Sequence, residues 1–268
     1  MNLVELKQIC RTWTGNGEEF DRMLRENKVP FISYRMISSL EFCKAKYYLE
    51  YVKRVKLDPE PAYFIKGRAF HEAAAVAYSA LKAGSEVDRD EVFEALKQLE
   101  SEDEKTRLHL ANAVQLMLDE LVRDREVVAV EQPFAMLISD ELPVFVGIID
   151  LICRSGKNYI IIDHKTGRTF SEPDEFQMII YLEFVRREYH PTSVQAAWHQ
   201  YRWVNNLTRI RKPAFQTLQL NEPDDSWSHA KQRIASAWTT MNELEKGKGI
   251  FGNGNCFACP FRPVCPYA

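Results

Sequence analysis

The sequence predicts an α/β fold, a central mixed β-sheet flanked by helices, with a helical N-terminal part and a C-terminal cysteine cluster. Three observations predict it. Apolar residues three and four apart mark helices through the first half of the chain and give way to short β-rich runs at Val127. The stretch from Val144 to Gly167, VFVGIIDLICRSGKNYIIIDHKTG, reads as two strands joined by a tight turn. A long amphipathic helix then leads into three closely spaced cysteines. At 268 residues, 46% of them hydrophobic, the chain suffices for one large domain or two small ones.

The net charge of -3 argues against a wholesale basic coat for nucleic acid but leaves room for a local basic groove. No apolar run approaches the ~20 residues that span a bilayer. The start, MNLVELKQIC, lacks the pattern of a secretory signal, so a soluble, cytoplasmic protein is expected. In a reducing compartment, clustered cysteines suggest a metal rather than disulfides.

In chain order, residues 1–30 predict short helices over Leu3–Thr12 and Glu18–Asn27, ended by Pro30. Ser38 and Glu41 form a capping-box pattern, followed by an apolar stripe of Leu40, Cys43, Tyr47 and Tyr51. Pro59 and Pro61 mark a loop. Ile65–Leu81 predicts a helix with a small face of alanines, stopped by Gly84. Two further helices follow, one after Asp88, with Glu91 completing a box, and one over Ser101–Glu126, with Ser101 and Glu104 as its box. Val127–Gln132 and Phe134–Ile138 read as strands before the hairpin. A helix over Glu172–Arg187, a strand over Val194–Val204, further strand within Thr208–Leu220 and a helix over Asp225–Lys246 complete the order.

The hairpin carries the chemistry. A two-residue loop at Gly156-Lys157 suits a type II′ turn. Antiparallel register then pairs residues whose numbers sum to 313. Asp150 falls opposite Asp163 on one face, and Lys165 projects from that face too. Paired carboxylates weaken a sheet unless a cation lies between them. Two aspartates and a lysine fit metal-assisted hydrolysis, since Mg²⁺ or Mn²⁺ takes hard oxygen ligands and keeps waters that can attack. A lysine beside two carboxylates stays protonated, which suits neutralising charge on a phosphate oxygen. The alternative is a hairpin with solvent-facing charges and an Asp–Lys ion pair.

Gly147-Ile148-Ile149-Asp150 and Ile161-Ile162-Asp163-His164-Lys165-Thr166-Gly167 resemble the core motifs of the PD-(D/E)XK nuclease superfamily, in its RecB-like branch. The resemblance extends over residues from about 33 to 268, by motifs that are short but stand in the family's order. It implies a restriction-endonuclease-like core, with residues 1–30 as an N-terminal extension. Within a single nuclease domain over 31–268 it implies a helical insertion at about 85–126, a nuclease core at about 127–220 and a cluster-bearing end at 225–268. It further implies that His71, in a Gly67-x-x-x-His71 pattern, joins Asp150 and Asp163 in holding the metal, with the main-chain carbonyl of His164, while Lys165 acts at the scissile phosphate. Gln177 and Tyr181, four apart on the following helix, match a Gln-x-x-x-Tyr motif, implying that Gln177 positions the lysine or substrate and Tyr181 contacts DNA. Glu131 stands where some members carry an auxiliary acid. The family's proline before the first aspartate is absent here.

Cys256-x-x-Cys259-Pro and Cys265-Pro give three ligands, and Cys43 is the candidate fourth. From the residues alone, zinc is the plain reading of four cysteines. The resemblance to AddB-type and CRISPR-adaptation nucleases, with one cysteine before the motifs and three after, implies a [4Fe–4S] cluster instead. Cys10 and Cys153 have no such pattern.

Two basic groups interleaved with aromatics suit a single-strand groove. One comprises Lys44, Lys46, Lys53, Arg54 and Lys56 with Tyr47, Tyr48 and Tyr51. The other comprises Arg186, Arg187, Arg202, Trp203, Arg209, Arg211 and Lys212. The expectation is a Mg- or Mn-dependent deoxyribonuclease, an exonuclease on single-stranded or frayed DNA ends, working in recombination, repair or CRISPR adaptation beside a helicase, recombinase or adaptation partner. Competing readings are a non-catalytic Fe–S DNA-binding subunit and a zinc-stapled hydrolase of a non-nucleic substrate.

Overall fold

The computed structural model describes residues 2–13, 17–58, 61–99, 103–209, 212–252 and 254–268. The helices are α1 (Leu3–Thr12), α2 (Gly17–Glu26), α3 (Tyr34–Phe42), α4 (Lys44–Tyr47), α5 (Ala62–Lys82), α6 (Arg89–Glu94), α7 (Glu104–Asp119), α8 (Glu175–Tyr189) and α9 (Ser226–Glu245). The strands are β1 (Phe31–Ser33), β2 (Glu126–Met136), β3 (Val144–Ser155), β4 (Asn158–Gly167), β5 (Ser193–Arg202) and β6 (Phe215–Gln219). They form one mixed sheet in the order β1-β3-β4-β5-β6, with β2 also on β3. The β1/β3 and β4/β5 pairs are parallel, and the β3/β4 and β5/β6 pairs antiparallel. No helix among the described residues is long and apolar enough to cross a membrane.

The chain divides into two compact units. One comprises Met1–Pro61, Pro133–Ile148 and Asp224–Ala268; the other comprises Ala62–Gln132 and Ile149–Pro223.

In the first unit, the expected helix start at Ser38 gives way to one at Ser33. Pairing with β3 holds Ser33 extended, and its hydroxyl accepts the Met36 N–H at 3.4 Å. A three-residue strand leaves no periodic trace, so this start was hidden from the sequence. The helix then breaks at Cys43, whose backbone is extended (φ -168°). Leu40, Cys43 and Tyr47 are nonetheless buried, as their stripe predicts. Gly147 has a packing reason, because a Cβ there would stand 2.6 Å from the Phe134 ring. A paired bridge from Arg233 of α9 to Glu41 of α3, at 2.7 and 2.6 Å, fastens the last long helix to the early one.

In the second unit, the alanine face of α5 lets other elements approach closely. Ala69, Ala73 and Ala77 are fully buried in a core that includes Leu110, Ala113 and Met117 of α7 and Leu151, Cys153, Ile160 and Ile162 of the hairpin. Helix α7 is shorter than expected. Asp103 caps it through the Thr106 N–H at 3.0 Å, and it ends at Asp119; the predicted cap Ser101 lies outside the described residues. Asp88 caps α6 as predicted. The two strands expected around Pro133 are one strand, β2, interrupted by a kink. Glu131 has φ +44°, the left-handed region, which bends the strand and accommodates a proline two residues on. Strand β4 is buried from Tyr159 to His164, as its two apolar faces require.

Candidate active site

The hairpin register is the one its turn dictates. Leu151 pairs with Ile162, Ile152 with Ile161 and Cys153 with Ile160. Of the two loop residues only Gly156 has a positive φ (+61°), which fits a type II′ turn. The next rung would join Asp150 to Asp163. There the Asp150 carboxylate takes the His164 main-chain N–H at 2.7 Å. That charge-assisted bond fixes the first aspartate against the second strand.

Three side chains converge at this point. His71 on α5, Glu131 at the kink of β2 and Asp150 on β3 each offer a ligand atom, all within 4.8 Å of one another. His71 Nδ1 stands 3.2 Å from Glu131 Oε1 and 3.5 Å from Asp150 Oδ2. Each reaches the site for a local reason. His71 lies one turn beyond Gly67, beside which a Cβ would meet nothing within 4 Å, so the helix surface before the histidine is open. Glu131 reaches the site from the left-handed residue of β2, a conformation that costs a non-glycine residue about 1–2 kcal/mol.

Asp163 stands outside this trio, with its Oδ2 2.6 Å from Lys165 Nζ. The lysine also donates to Gln177 Oε1 at 3.3 Å, and Gln177 Nε2 donates to the Tyr181 hydroxyl at 2.7 Å. Positions 177 and 181 share a face of α8, so two consecutive turns hold the lysine from one side while β4 holds it from the other. Asp174 caps α8 through the Phe176 N–H at 3.0 Å and so fixes where those turns begin, later than the expected Glu172.

The electrostatics suit a cation. Burial raises Asp150, with Glu131 adding to the rise and His71 opposing it. Burial likewise raises Asp163, to about 6, against the pull of Lys165 and with a further push from Asp150. Burial would lower His71, but Asp150 and Glu131 outweigh it and raise the imidazole to about 9. Burial and the crowding of carboxylates raise the proton affinity of all three groups, and a divalent cation would compete with those protons. Two carboxylates and an imidazole are suitable donors for Mg²⁺ or Mn²⁺. Tyr181 is raised well above the ordinary phenol by burial and then by Asp163 and Asp150, so it serves as a neutral hydroxyl.

The His164 side chain turns away from the carboxylates. It stacks on Tyr78 with ring centroids 5.6 Å apart and packs near His199 and Tyr201. Of this residue, only the main chain meets the site. Glu131 is the residue that sequence reasoning left on the margin. Its signal was a proline two residues on in a strand-like run, which calls for a bulge.

The basic groups fare differently. Tyr47 is a buried packing residue stacked on Tyr51 at 5.3 Å, and Lys46 is held by Glu50 at 2.5 Å and by Ser39. Arg186 is bound by Glu222 and Arg187 by Glu183. Arg211 lies outside the described residues.

A second candidate centre belongs to the first unit. Cys43, Cys256, Cys259 and Cys265 all line one small cavity of about 10 Å³, together with Lys46 and Arg262. Gly254 allows this approach, since a Cβ there would stand 2.2 Å from the Phe42 carbonyl oxygen and 2.8 Å from Cys43 Cβ. The Ala45 N–H donates to the Phe251 carbonyl at 3.2 Å and ties the loop to the start of α4. No three of these sulfurs lie within 4.8 Å of one another. Tetrahedral zinc with bonds of about 2.3 Å needs sulfurs about 3.8 Å apart, and a cubane cluster needs them wider.

Residues 32–266 match the sequence profile of the PD-(D/E)XK nuclease superfamily. Among solved structures, the chain is similar to a protein named "Putative exonuclease" from Eubacterium rectale. The TM-score is 0.58 at 11% identity, with 94% of this chain and 93% of the other covered, which shows a common fold. A match to the crystal structure of SSO0001 has a TM-score of 0.35 at 13% identity over 86% of this chain and 94% of the other, and carries no weight. No match was found among curated protein sequences.

Proposed function

Since the chain belongs to the PD-(D/E)XK nuclease superfamily, we propose that it is a Mg²⁺- or Mn²⁺-dependent deoxyribonuclease, an exonuclease acting on single-stranded or frayed DNA ends. The observation that carries this reading is the convergence of His71, Glu131 and Asp150 within 4.8 Å, beside an Asp163–Lys165 pair. The exonuclease assignment draws support from the name of the Eubacterium rectale neighbour, whose fold the chain resembles along nearly its whole length.

His71, Glu131 and Asp150 would hold the cation, with Asp163 beside them. When bound, the cation supplies Lewis-acid polarisation of the phosphate and lowers the pKa of a coordinated water toward neutrality. The protein's own groups do the rest. Lys165, paired with Asp163, presents its ammonium to a phosphate oxygen as charge develops there. Gln177 fixes the ammonium through its side-chain carbonyl, and Tyr181 fixes Gln177. The His164 N–H keeps Asp150 oriented. Cys43, Cys256, Cys259 and Cys265 would carry a [4Fe–4S] cluster, a reading supported by their lining one cavity. Such a cluster would fasten the C-terminal loop to the junction of α3 and α4, and its binding energy would add to folding stability.

The test is anaerobically purified protein with Mn²⁺ or Mg²⁺ and DNA labelled at either end, single- or double-stranded, alongside iron and sulfide analysis. Metal-dependent release of short products, lost in Asp150→Ala and Lys165→Ala with folding retained, is expected. Absence of metal-dependent cleavage of every DNA would overturn the reading, and a colourless protein holding zinc but no iron would overturn the cluster.

A further inference from the structure

Large exposed apolar side chains gather in one part of the chain. Phe251, Phe257, Val264 and Tyr267 are all exposed, and Phe257 is 87% accessible at the turn between two cluster cysteines. Several contacts tie this segment together. A Cβ on Gly252 would lie 2.7 Å from the Tyr267 carbonyl oxygen, Tyr267 and Arg262 line the same cavity, and the Arg262 guanidinium lies 4.6 Å above the Phe257 ring. Lys44 stands likewise over Phe251, at 4.9 Å. An exposed aromatic patch of this kind marks a binding surface.

Charge decides the occupant. From Lys246 to Ala268 the side chains include two lysines and one arginine and no aspartate or glutamate, in a chain whose net charge is -3. Aromatic rings interleaved with cations, free of carboxylates, form a platform that stacks bases and tracks phosphates. We propose that the cysteine loop, through Phe257 and Arg262, binds single-stranded nucleic acid as a contact additional to the catalytic carboxylates. This rests on the nuclease reading for its substrate class. Phe257 would stack a base on the ring face opposite Arg262, while Arg262 holds the ring by one face and meets the neighbouring phosphate.

The experiment uses the full cluster-loaded chain with Mg²⁺ and Mn²⁺ omitted, so that a fluorescent thymidine 20-mer stays intact during anisotropy titration. Phe257→Leu is expected to weaken binding about five- to tenfold, the lower part of what one base–ring stack contributes, while Phe257→Trp keeps it. Arg262→Gln should reduce the slope of log affinity against log salt by about 0.7, the value for one phosphate contact on a single strand. Hydrolysis of bis(p-nitrophenyl) phosphate, which has no nucleotide run for the loop to bind, should be unchanged in all three. Unaltered 20-mer affinity in both Phe257→Leu and Arg262→Gln overturns the proposal. So does a change confined to oligomeric state, which would assign the patch to a protein partner. Failure of the wild type to cleave every DNA with Mn²⁺ or Mg²⁺ would instead sink the nuclease reading, whatever the 20-mer affinity.

Discussion

Glu131 offers the sharpest test of the site, because its backbone and its side chain should pull stability in opposite directions. Its left-handed φ of +44° costs a non-glycine residue about 1–2 kcal/mol. Glycine adopts that conformation freely but pays about 0.5–1 kcal/mol in unfolded-state entropy. Glu131→Gly should therefore stabilise the metal-free protein by about 1 kcal/mol, a rise of roughly 2–4 °C in melting temperature. The same change removes one of the three groups that lie within 4.8 Å of one another. Losing a ligand should weaken Mn²⁺ binding at least about tenfold, which removes about 1.4 kcal/mol of the stabilisation gained on adding saturating Mn²⁺. Glu131→Gln keeps the strained backbone and discards the charge, so it separates the two contributions. Differential scanning calorimetry of the three proteins, with and without Mn²⁺, is the assay. A Gly variant less stable than the Gln variant without metal would refute the strain. An equal Mn²⁺-induced rise in all three proteins would refute the ligand assignment.

Three further outcomes are expected. Gly67→Ala meets no atom within 4 Å and should stabilise α5 by about 1 kcal/mol, yet slow DNA cleavage if substrate passes beside His71; faster or unchanged cleavage would show that the open surface is not used. Gly254→Ala would put a Cβ against the Phe42 carbonyl and Cys43, so the purified variant should hold much less than half the wild-type iron, and full iron content would contradict the close approach. Burial depresses His199 to about 4, so the unfolded chain takes up a proton below pH 6.5 that the folded chain refuses. Its contribution is complete above pH 6.5 and falls as pH drops toward 4, by about 2 kcal/mol at pH 5. Urea unfolding of His199→Phe should show a correspondingly flatter loss between pH 7 and 5.

What the sequence disclosed and what it hid divide along the range of the interactions. The hairpin register follows from two loop residues and the two-residue strand period, so Leu151 opposite Ile162 is fixed locally. The pairing of Gln177 with Tyr181 follows from helical spacing alone. Helix starts were legible where a cap acts by itself, as at Asp88, and illegible at Ser33, whose extended backbone depends on a parallel strand more than a hundred positions away. The burial of Tyr47 and the neutralisation of Arg186 by Glu222 are also long-range facts, and composition counts such residues as a basic, aromatic surface.

The candidate metal site shows the same division among its own residues. Asp150 and Asp163 declared themselves through a local conflict, two carboxylates facing each other across a hairpin. Glu131 declared nothing of the kind, because a solvated glutamate in a strand is ordinary. What marks it is an energetic anomaly, a left-handed glutamate aimed at a half-buried histidine that also faces Asp150. Lys165 then completes a division of labour among the acids. Asp163 is paired within the protein with the ammonium at 2.6 Å, while Asp150 and Glu131 share a half-buried histidine and Asp150 also accepts the His164 N–H. The raised His71 is thus the protein's internal substitute for a cation, and a divalent ion that displaces its proton would turn repulsion among the carboxylates into attraction at one point.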